Sequence, residues 1–548
     1  MDEKDSIISS SSSTTTGTTS SAIIDPMAGL NGIKNYTFKN WAGIFSCKPQ
    51  LFFQPSNIDE VTKIILNAYK EGKTFTVIGS GHSPSDLCCA NPNGWLVNLD
   101  KLNRVLDFKV YDGGNYADIT VEAGLRVYKL NEILGAKGYT IQNLGSISEQ
   151  SVAGITATGT HGSSAFHGLV SSQYVNLTII NGKGELIYLD SETNQDVFRA
   201  ALLSLGKIGV IVKATIRAIP KYKIKSTQEV IHFETLLEKW DDIWTSSEFI
   251  RCWWYPYTRK CVLWRGNKTT EQVHEVTRKS WWGTKFGRIF YECLLWISVK
   301  IYPGITPFVE SFVFNRQYGA VETFGNGDVA IQDSIDGLNM DCLFSQFVDE
   351  WGCPLLNGPE VLRSLDHSIQ QAASNKEFYV HVPIEVRCSN TTLPPHQLDY
   401  SHRTSTSKGA VYGNILRPYL DATPRDLQYA EHVTNNQLTL YINATIYRPF
   451  GANTPIHKWF TLFEHTMGAA GGKPHWAKNF LGDVSMLPKG VKPKEKYLDY
   501  EMRGMASEII KWYGEDLIKW QQIRKQQDPN GVFLANKDWC IRNGILEI

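Results

Sequence analysis

The stretch Thr74-Phe-Thr-Val-Ile-Gly-Ser-Gly-His-Ser-Pro-Ser-Asp86 passes from a short apolar run into a loop of small residues. Thr74 to Ile78 reads as a buried strand. Gly79, Gly81 and the hydroxyls Ser80, Ser83 and Ser85 then make a tight turn whose backbone N–H groups are open to a phosphate. Just upstream, Gln50-Leu-Phe-Phe-Gln-Pro55 reads as another strand, and Ile58 to Lys70 carries Val61, Ile64, Ile65 and Ala68 at helical spacing. The chain therefore opens β-α-β. A dinucleotide fingerprint is absent: there is no G-x-G-x-x-G, and Glu71-Gly-Lys-Thr74 lacks the earlier glycine of a P-loop because position 67 is Asn. That Lys-Thr pair reads as a helix end.

Downstream, strands are expected at Trp95 to Leu99, Ala117 to Gly124, Val175 to Ile180 and Val210 to Pro220, with a helix at Val127 to Ala136. The fold class is α+β, with a first domain over 27–220. A second, α+β region over 221–480 has strand-like runs at Phe249 to Tyr255, Phe378 to Arg387 and Leu438 to Tyr447. A C-terminal segment, 481–548, carries an amphipathic helix at about 506–526 and the turn Asp528-Pro-Asn-Gly531. Residues 1–26 hold a Ser/Thr tract with too little apolar surface to offset ordering entropy and read as a disordered tail.

The composition of the 548 residues, 42% hydrophobic and 20% charged, is that of a globular chain. Lysine plus arginine (55) equals aspartate plus glutamate (55), so no global field draws in nucleic acid. The ten cysteines include no C-x-x-C pair, which points to neither a disulfide framework nor a metal site. No apolar leader precedes the five Asn-x-Ser/Thr sequons, Asn443 among them, so they read as chance matches.

Three further stretches carry polar chemistry. Asn143-Leu-Gly-Ser-Ile-Ser-Glu-Gln-Ser-Val-Ala-Gly-Ile-Thr-Ala-Thr-Gly-Thr-His-Gly162 allows close backbone approach to a long polar ligand. In Pro383-Ile-Glu-Val-Arg-Cys388, Glu385 and Arg387 are two apart on a strand and share a face; on their own they read as a solvated ion pair. In Gly472-Lys-Pro-His-Trp-Ala-Lys478, a helix would bring His475 and Lys478 to one side. Residues 281–314 mix aromatics and aliphatics, but Glu292, Lys300 and prolines interrupt any clean span, which leaves a buried helix of the second domain or an interfacial segment.

The ordered set 79–86, 143–162, 383–388 and 472–478 resembles the sugar-1,4-lactone oxidases of the vanillyl-alcohol-oxidase flavoprotein superfamily, over about Trp41 to the C-terminus. That resemblance implies FAD lying extended between a two-part FAD-binding domain and a cap domain, with the C-terminal segment completing the site. It implies that Gly79, Ser80, Gly81, His82 and Ser83 wrap the cofactor, with His82 attached through an 8α bond. Gly145, Ser146, Gly154, Thr158, Gly159, His161, Gly162 and Gly209 are further cofactor contacts on the same ground. Glu385 and Arg387 match a pair that meets lactone and flavin ring, Lys478 and His475 a basic group beside it, and Ser151 a substrate-contacting hydroxyl of a related alditol oxidase. Gly145 matches a position beside the flavin where dehydrogenases that react poorly with oxygen have alanine. The implied reaction oxidises an aldono-1,4-lactone at C2 to an ascorbate-type product, with O2 as acceptor giving H2O2. A nicotinamide-dependent reductase on the same fold and a catalytically dead flavin- or sugar-binding protein are the alternatives. The resemblance also implies a mitochondrial membrane location, with residues 281–314 as the peripheral contact; a cytoplasmic protein is the alternative.

Overall fold

The computed structural model describes residues 24–27, 30–274, 280–340, 342–393, 411–482 and 504–546. Of the tail expected over 1–26, residues 1–23 lie outside them, while 24–26 belong to the strand Ile24–Met27, paired with Leu30–Ile33, and are not disordered. Side-chain alternation and loop chemistry produce three principal sheets. The first runs Ile24–Met27, Leu30–Ile33, Leu51–Phe53, Trp95–Asn98, Phe75–Ile78. Its last three strands are parallel, and the crossover between Leu51–Phe53 and Phe75–Ile78 is helix Ile58–Lys70. Asn57 starts that helix by accepting from the Glu60 N–H, and Val61, Ile64, Ile65 and Ala68 are its buried face.

The second sheet, antiparallel, has the order Leu186–Asp190, Tyr174–Ile180, Val210–Pro220, Tyr116–Glu122, Val105–Tyr111, with Tyr139–Thr140 pairing onto Val210–Pro220. The third begins at Lys223, three residues after the second ends. It is an eight-stranded antiparallel sheet whose central order is Lys260–Thr269, Phe249–Tyr255, Ile384–Ser389, Thr439–Tyr447, Gln346–Pro354. Glu385 pairs with Asn443, which pairs in turn with Glu350, so one row of the sheet carries all three.

Three expectations need correction. The strand expected over Phe378 to Arg387 spans only Ile384–Ser389, because Pro383 has no N–H to enter the ladder. The single C-terminal helix is two, Ala506–Tyr513 and Glu515–Gln527, broken where Gly514 adopts φ +47. Residues 473–478 are not helical: Lys473–Pro474 is a strand, followed by a turn in which Lys478 N donates to His475 O.

The C-terminal segment folds back onto the first sheet. Phe75 N donates to Val532 O at 2.8 Å, and buried Lys207 Nζ donates to Phe533 O and Asn536 Oδ1 at 3.0 and 2.6 Å. Arg542 Nη2 grips both carboxylate oxygens of buried Asp86 at 3.1 and 2.9 Å. Helices Lys285–Lys300 and Thr306–Tyr318 cover the other extremity, packed by Trp282, Tyr291, Leu295, Val309 and Val313. Their outer faces leave Phe286, Ile289, Phe308 and Ile301 more than half exposed, with Phe290 and Phe312 partly so.

Candidate active site

Two cavities meet at His82 and Gln150, which line both. The first, about 920 Å³ including its mouth, is walled by Gly79, Ser80, Gly81, His82, Ser83, Ser151, Gly154, Thr158 and Gly209 together with Lys207. Backbone makes this wall because side chains cannot. A Cβ on Gly79 would sit 2.1 Å from Ser151 Oγ, and Gly81 holds φ +68 with Phe38 directly behind it. Ser151 Oγ itself caps helix Val152–Ala157 by accepting from Gly154 N. Ser151 is thus walled into the first cavity and is not brought to the cluster of charged groups described next. Gly159 and Gly162 line neither cavity; they pack against Leu203 and Asn143.

The second cavity, about 1090 Å³ with its mouth, has as its floor one face of three adjacent strands: Pro383, Glu385 and Arg387; Asn443, Thr445 and Tyr447; Gln346, Val348 and Glu350. Strand alternation puts every second residue there. Gly145, Ser146, His161, His475, Lys478, Trp41 and His82 close the walls.

Glu350 is the hub. Its Oε1 accepts from Arg387 Nη2, its Oε2 lies 3.0 Å from Lys478 Nζ, and its Oε1 is 3.3 Å from His161 Nε2. Burial alone would raise this carboxyl, but Lys478, Arg387 and His161 together hold it well below the usual range, so it is ionised. Arg387 also lies 3.4 Å from Glu385 Oε2 and donates to Ser146 Oγ at 3.3 Å. Burial works against its charge, yet Glu385 and Glu350 raise its pKa further still. Glu385 lines the cavity, and its Oε1 is buried without a partner.

Both nearby histidines are pushed toward the neutral form. Burial pushes His475 down to about 3, and its Nδ1 accepts from Ala477 N, so Nε2 carries the proton. Burial and Arg387 lower His161, whose Nδ1 lies 2.9 Å from Gly162 O and whose Nε2 faces Glu350 Oε1, so both ring nitrogens sit against acceptor oxygens. Its ring stacks on Tyr441 at 3.6 Å. His161, Glu350 and His475 have the spacing of a cation site, but Glu350 already holds two cationic side chains and His475 Nδ1 is engaged.

Glu350 was missed by the sequence reading, as were Asn443 and Trp253 in the same row. The available signal was Asp349-Glu350, two carboxylates inside the otherwise apolar strand Gln346–Pro354. Alternation sends them to opposite faces. Asp349 is held protonated by burial and by Glu464, while Glu350 reaches the cavity.

A family model described as D-arabinono-1,4-lactone oxidase matches residues 214–543, and one described as FAD binding domain matches 49–190. This chain belongs to the D-arabinono-1,4-lactone oxidase family. It is 71% identical over 525 residues to the D-arabinono-1,4-lactone oxidase of Kluyveromyces lactis, covering 95% of this chain and 99% of that one. The Saccharomyces cerevisiae relative of the same name is 68% identical over 516 residues, 94% and 98% of the two chains. Among solved structures, a cholesterol oxidase from B. sterolicum superposes with a TM-score of 0.72 at 16% identity, over 95% of this chain and 100% of that one. A solvent-stable cholesterol oxidase gives 0.70 at 16% identity, over 94% and 98%. At that identity the likeness is one of fold, and it is the α+β fold with a flavin-binding half and a cap.

The first cavity fits the FAD that such a domain binds. Its glycines leave room for a pyrophosphate, and His82 Nδ1 is buried at the junction without a hydrogen-bond partner. Burial and the charge of Arg126 push that imidazole down to about 4, so it is neutral, as an attacking nitrogen must be.

Proposed function

We infer that this protein is an FAD-dependent oxidase of D-arabinono-1,4-lactone, converting the C2 alcohol to a ketone with O2 reduced to H2O2, a step of erythroascorbate synthesis. The Glu350-centred cluster, facing a cavity that opens at His82 onto the flavin-binding half, is the observation that carries this reading together with the family. FAD, held along Gly79–Ser83, Ser151–Thr158 and Gly209, supplies the two-electron acceptor and the reaction with oxygen. The chain's own residues do the rest. Glu385 Oε1 accepts a hydrogen bond from a lactone hydroxyl, and Arg387 and Lys478, fixed by Glu350, hold negative charge as it develops. Glu350 is ionised and doubly engaged, so it orients these cations. Glu385 Oε1, the unpartnered acceptor of the cluster, then takes the C2 hydroxyl proton, while His161 Nε2 beside Glu350 Oε1 helps fix that carboxylate. His475 Nε2–H donates to the substrate side of the cavity.

We propose that His82 carries the flavin covalently; its unpartnered buried nitrogen supports this. Flavin fluorescence should migrate with the denatured protein, and release of all flavin into acid supernatant would refute the bond. Reduction of the bound flavin by D-arabinono-1,4-lactone without oxygen tests the activity, since a protein whose flavin spectrum is unmoved by the lactone is not this enzyme.

For the exposed aromatic face of residues 281–314 we propose a lipid surface as partner, and a mitochondrial membrane as the place. No helix among the described residues is long and apolar enough to cross a membrane. Phe286, Ile289, Phe308 and Ile301 are exposed beside Lys285 and Lys300, the composition of an interfacial contact with anionic headgroups. Phe286→Ser with Phe308→Ser should move the protein from pelleted anionic vesicles to the supernatant with its flavin spectrum intact. Trp282 is the wrong residue for this test, because it is buried against Tyr291.

A further inference from the structure

A third cavity opens where helix Val127–Ala136 of the flavin-binding half faces cap residues 333–340. It shares Ser146 and Met340 with the second cavity, and those two residues stand between them. The partition is thin. Met340 N donates to Ser146 O at 2.8 Å, and Ser148 Oγ donates to Asn339 Oδ1 at 2.7 Å. Both bonds join the cap to the flavin-binding half, so a small parting of the two halves opens one cavity into the other.

Asn131, on the wall of this outer pocket, is only 3% exposed, and neither its Oδ1 nor its Nδ2 has a partner. A buried amide left without hydrogen bonds is costly, and a rotation of this side chain from beneath the pocket wall would bring one donor group and one acceptor to whatever fills the pocket. Tyr128, Thr140, Ser148, Glu149 and Asp336 add further hydroxyls and carboxylates. The one lysine on the wall, Lys221, is paired with Asp333 at 3.0 Å. A surface rich in donors and acceptors and poor in free cations suits an uncharged polyhydroxylated ring and disfavours an anion.

We propose that this outer pocket is a loading site that binds the sugar lactone before it passes the Ser146–Met340 partition to Glu385 and Arg387. The proposal rests on the lactone-oxidase reading above. It explains why a buried asparagine lacks partners in a wall remote from the charged cluster.

Gly135 gives a clean test. It lies within the helix, outside the left-handed region, and a Cβ built on it meets nothing within 4 Å. Gly135→Trp therefore starts from open space and should fill the pocket, and Gly135→Ala is the control. In anaerobic stopped-flow with D-arabinono-1,4-lactone, the plugged holoenzyme should lose about tenfold or more in the second-order rate of flavin reduction at low lactone. The plateau rate at saturating lactone and the reoxidation by O2 should stay at wild-type values, as should every rate in Gly135→Ala. Glu132→Trp, one turn earlier at an exposed position, should give the same split if the Gly135→Trp protein does not accumulate. Asn131→Leu should raise the lactone concentration for half-maximal reduction several-fold with the plateau held. Wild-type low-lactone rates in the plugged variants overturn the loading site while leaving the oxidase reading intact. Failure of the lactone to reduce the wild-type flavin overturns both.

Discussion

The two cavities that meet at His82 are built from different kinds of chain. The first is made of backbone and small side chains drawn mainly from two continuous stretches, the loop 79–83 and the capped helix at 150–158. The second is made of charged and polar side chains brought together from four separated places: His161, Glu350, Glu385 with Arg387, and His475 with Lys478. A site made of backbone is robust to loss of any one side chain, because its donors belong to the fold. A site made of mutually paired buried charges is not, because removing one member leaves another uncompensated.

Glu350→Gln should have the largest effect. It leaves Arg387 and Lys478 side by side in a buried site without their shared counter-ion. Breaking a buried pair in this way costs about 3 to 5 kcal/mol of stability. Lactone-driven flavin reduction should fall by about a thousandfold in whatever protein folds. Thermal denaturation and anaerobic stopped-flow measure the two. A variant with wild-type melting and reduction would remove Glu350 from the hub.

Next in size, Arg387→Ala, Lys478→Ala and Glu385→Gln should each slow reduction by about a hundredfold to a thousandfold, roughly 2.7 to 4 kcal/mol. Glu385→Gln should also flatten the pH dependence of reduction, because its Oε1 is the assigned proton acceptor, and His161→Gln should slow reduction by loosening Glu350. Ser151→Ala belongs to the first cavity and supplies the contrast. It should cost about 1 kcal/mol of stability through the lost cap on Val152–Ala157, with the reduction rate at saturating lactone unchanged. Comparable rate losses in Ser151→Ala and Arg387→Ala would erase the distinction between the cavities.

The same contrast explains what could be read in advance. The helices Ile58–Lys70 and Val127–Ala136 and the strands Val210–Pro220 and Phe249–Tyr255 were legible because each is set by its own apolar period. The first cavity was legible for a similar reason: glycines and hydroxyls cluster along one stretch. Glu385 and Arg387 stood out only as a pair, and their meaning came from resemblance. Glu350 could not be found from spacing, since its place beside Asn443 and Glu385 is fixed by the pairing of strands that lie far apart in sequence. His475 and Lys478 were found for the wrong local reason. A turn, stitched by His475 N to Glu350 O at 2.8 Å, brings them to the cavity where a helix was expected.

Acid should unfold the protein through the same groups. Burial holds His82 and His381 down at about 4 and His475 at about 3, each below the ordinary value of about 6.5. These imidazoles are neutral in the folded state and take up protons on unfolding. Their contribution to stability is complete above about pH 6.5 and is lost as pH falls toward the folded values, by about 1.4 kcal/mol per pH unit for each group. Glu350, depressed by its cations, adds a loss of the same sign below about pH 4.3, the ordinary carboxyl value. Denaturant midpoints should fall steadily from pH 6.5 to 4.5, and a flat profile across that range would show that the three histidines are solvated.

The smallest expected effect is at Gly145, on the wall of the second cavity. Its φ is not in the left-handed region, so the backbone does not require glycine there. What requires it is space: a Cβ would come within 2.8 Å of Thr160 Cγ2, with His161 O and Gln150 Oε1 next at 3.8 and 3.9 Å. Alanine therefore both narrows the cavity wall and pushes on Thr160. Gly145→Ala should slow reoxidation of the reduced enzyme by O2 about tenfold, about 1.4 kcal/mol, while reduction by lactone and turnover with an artificial acceptor are kept. Strain alone predicts something different, because strain acts through the Thr160 methyl. Adding Thr160→Ser removes that methyl and relieves the clash. If Gly145→Ala closes an oxygen passage, the double variant regains any lost stability but stays slow with O2. If the effect is displacement of Thr160 and its neighbour His161, the double variant recovers oxygen reactivity as well. Recovery in the double variant would assign the glycine to packing, and persistence of the slow rate would assign it to oxygen access.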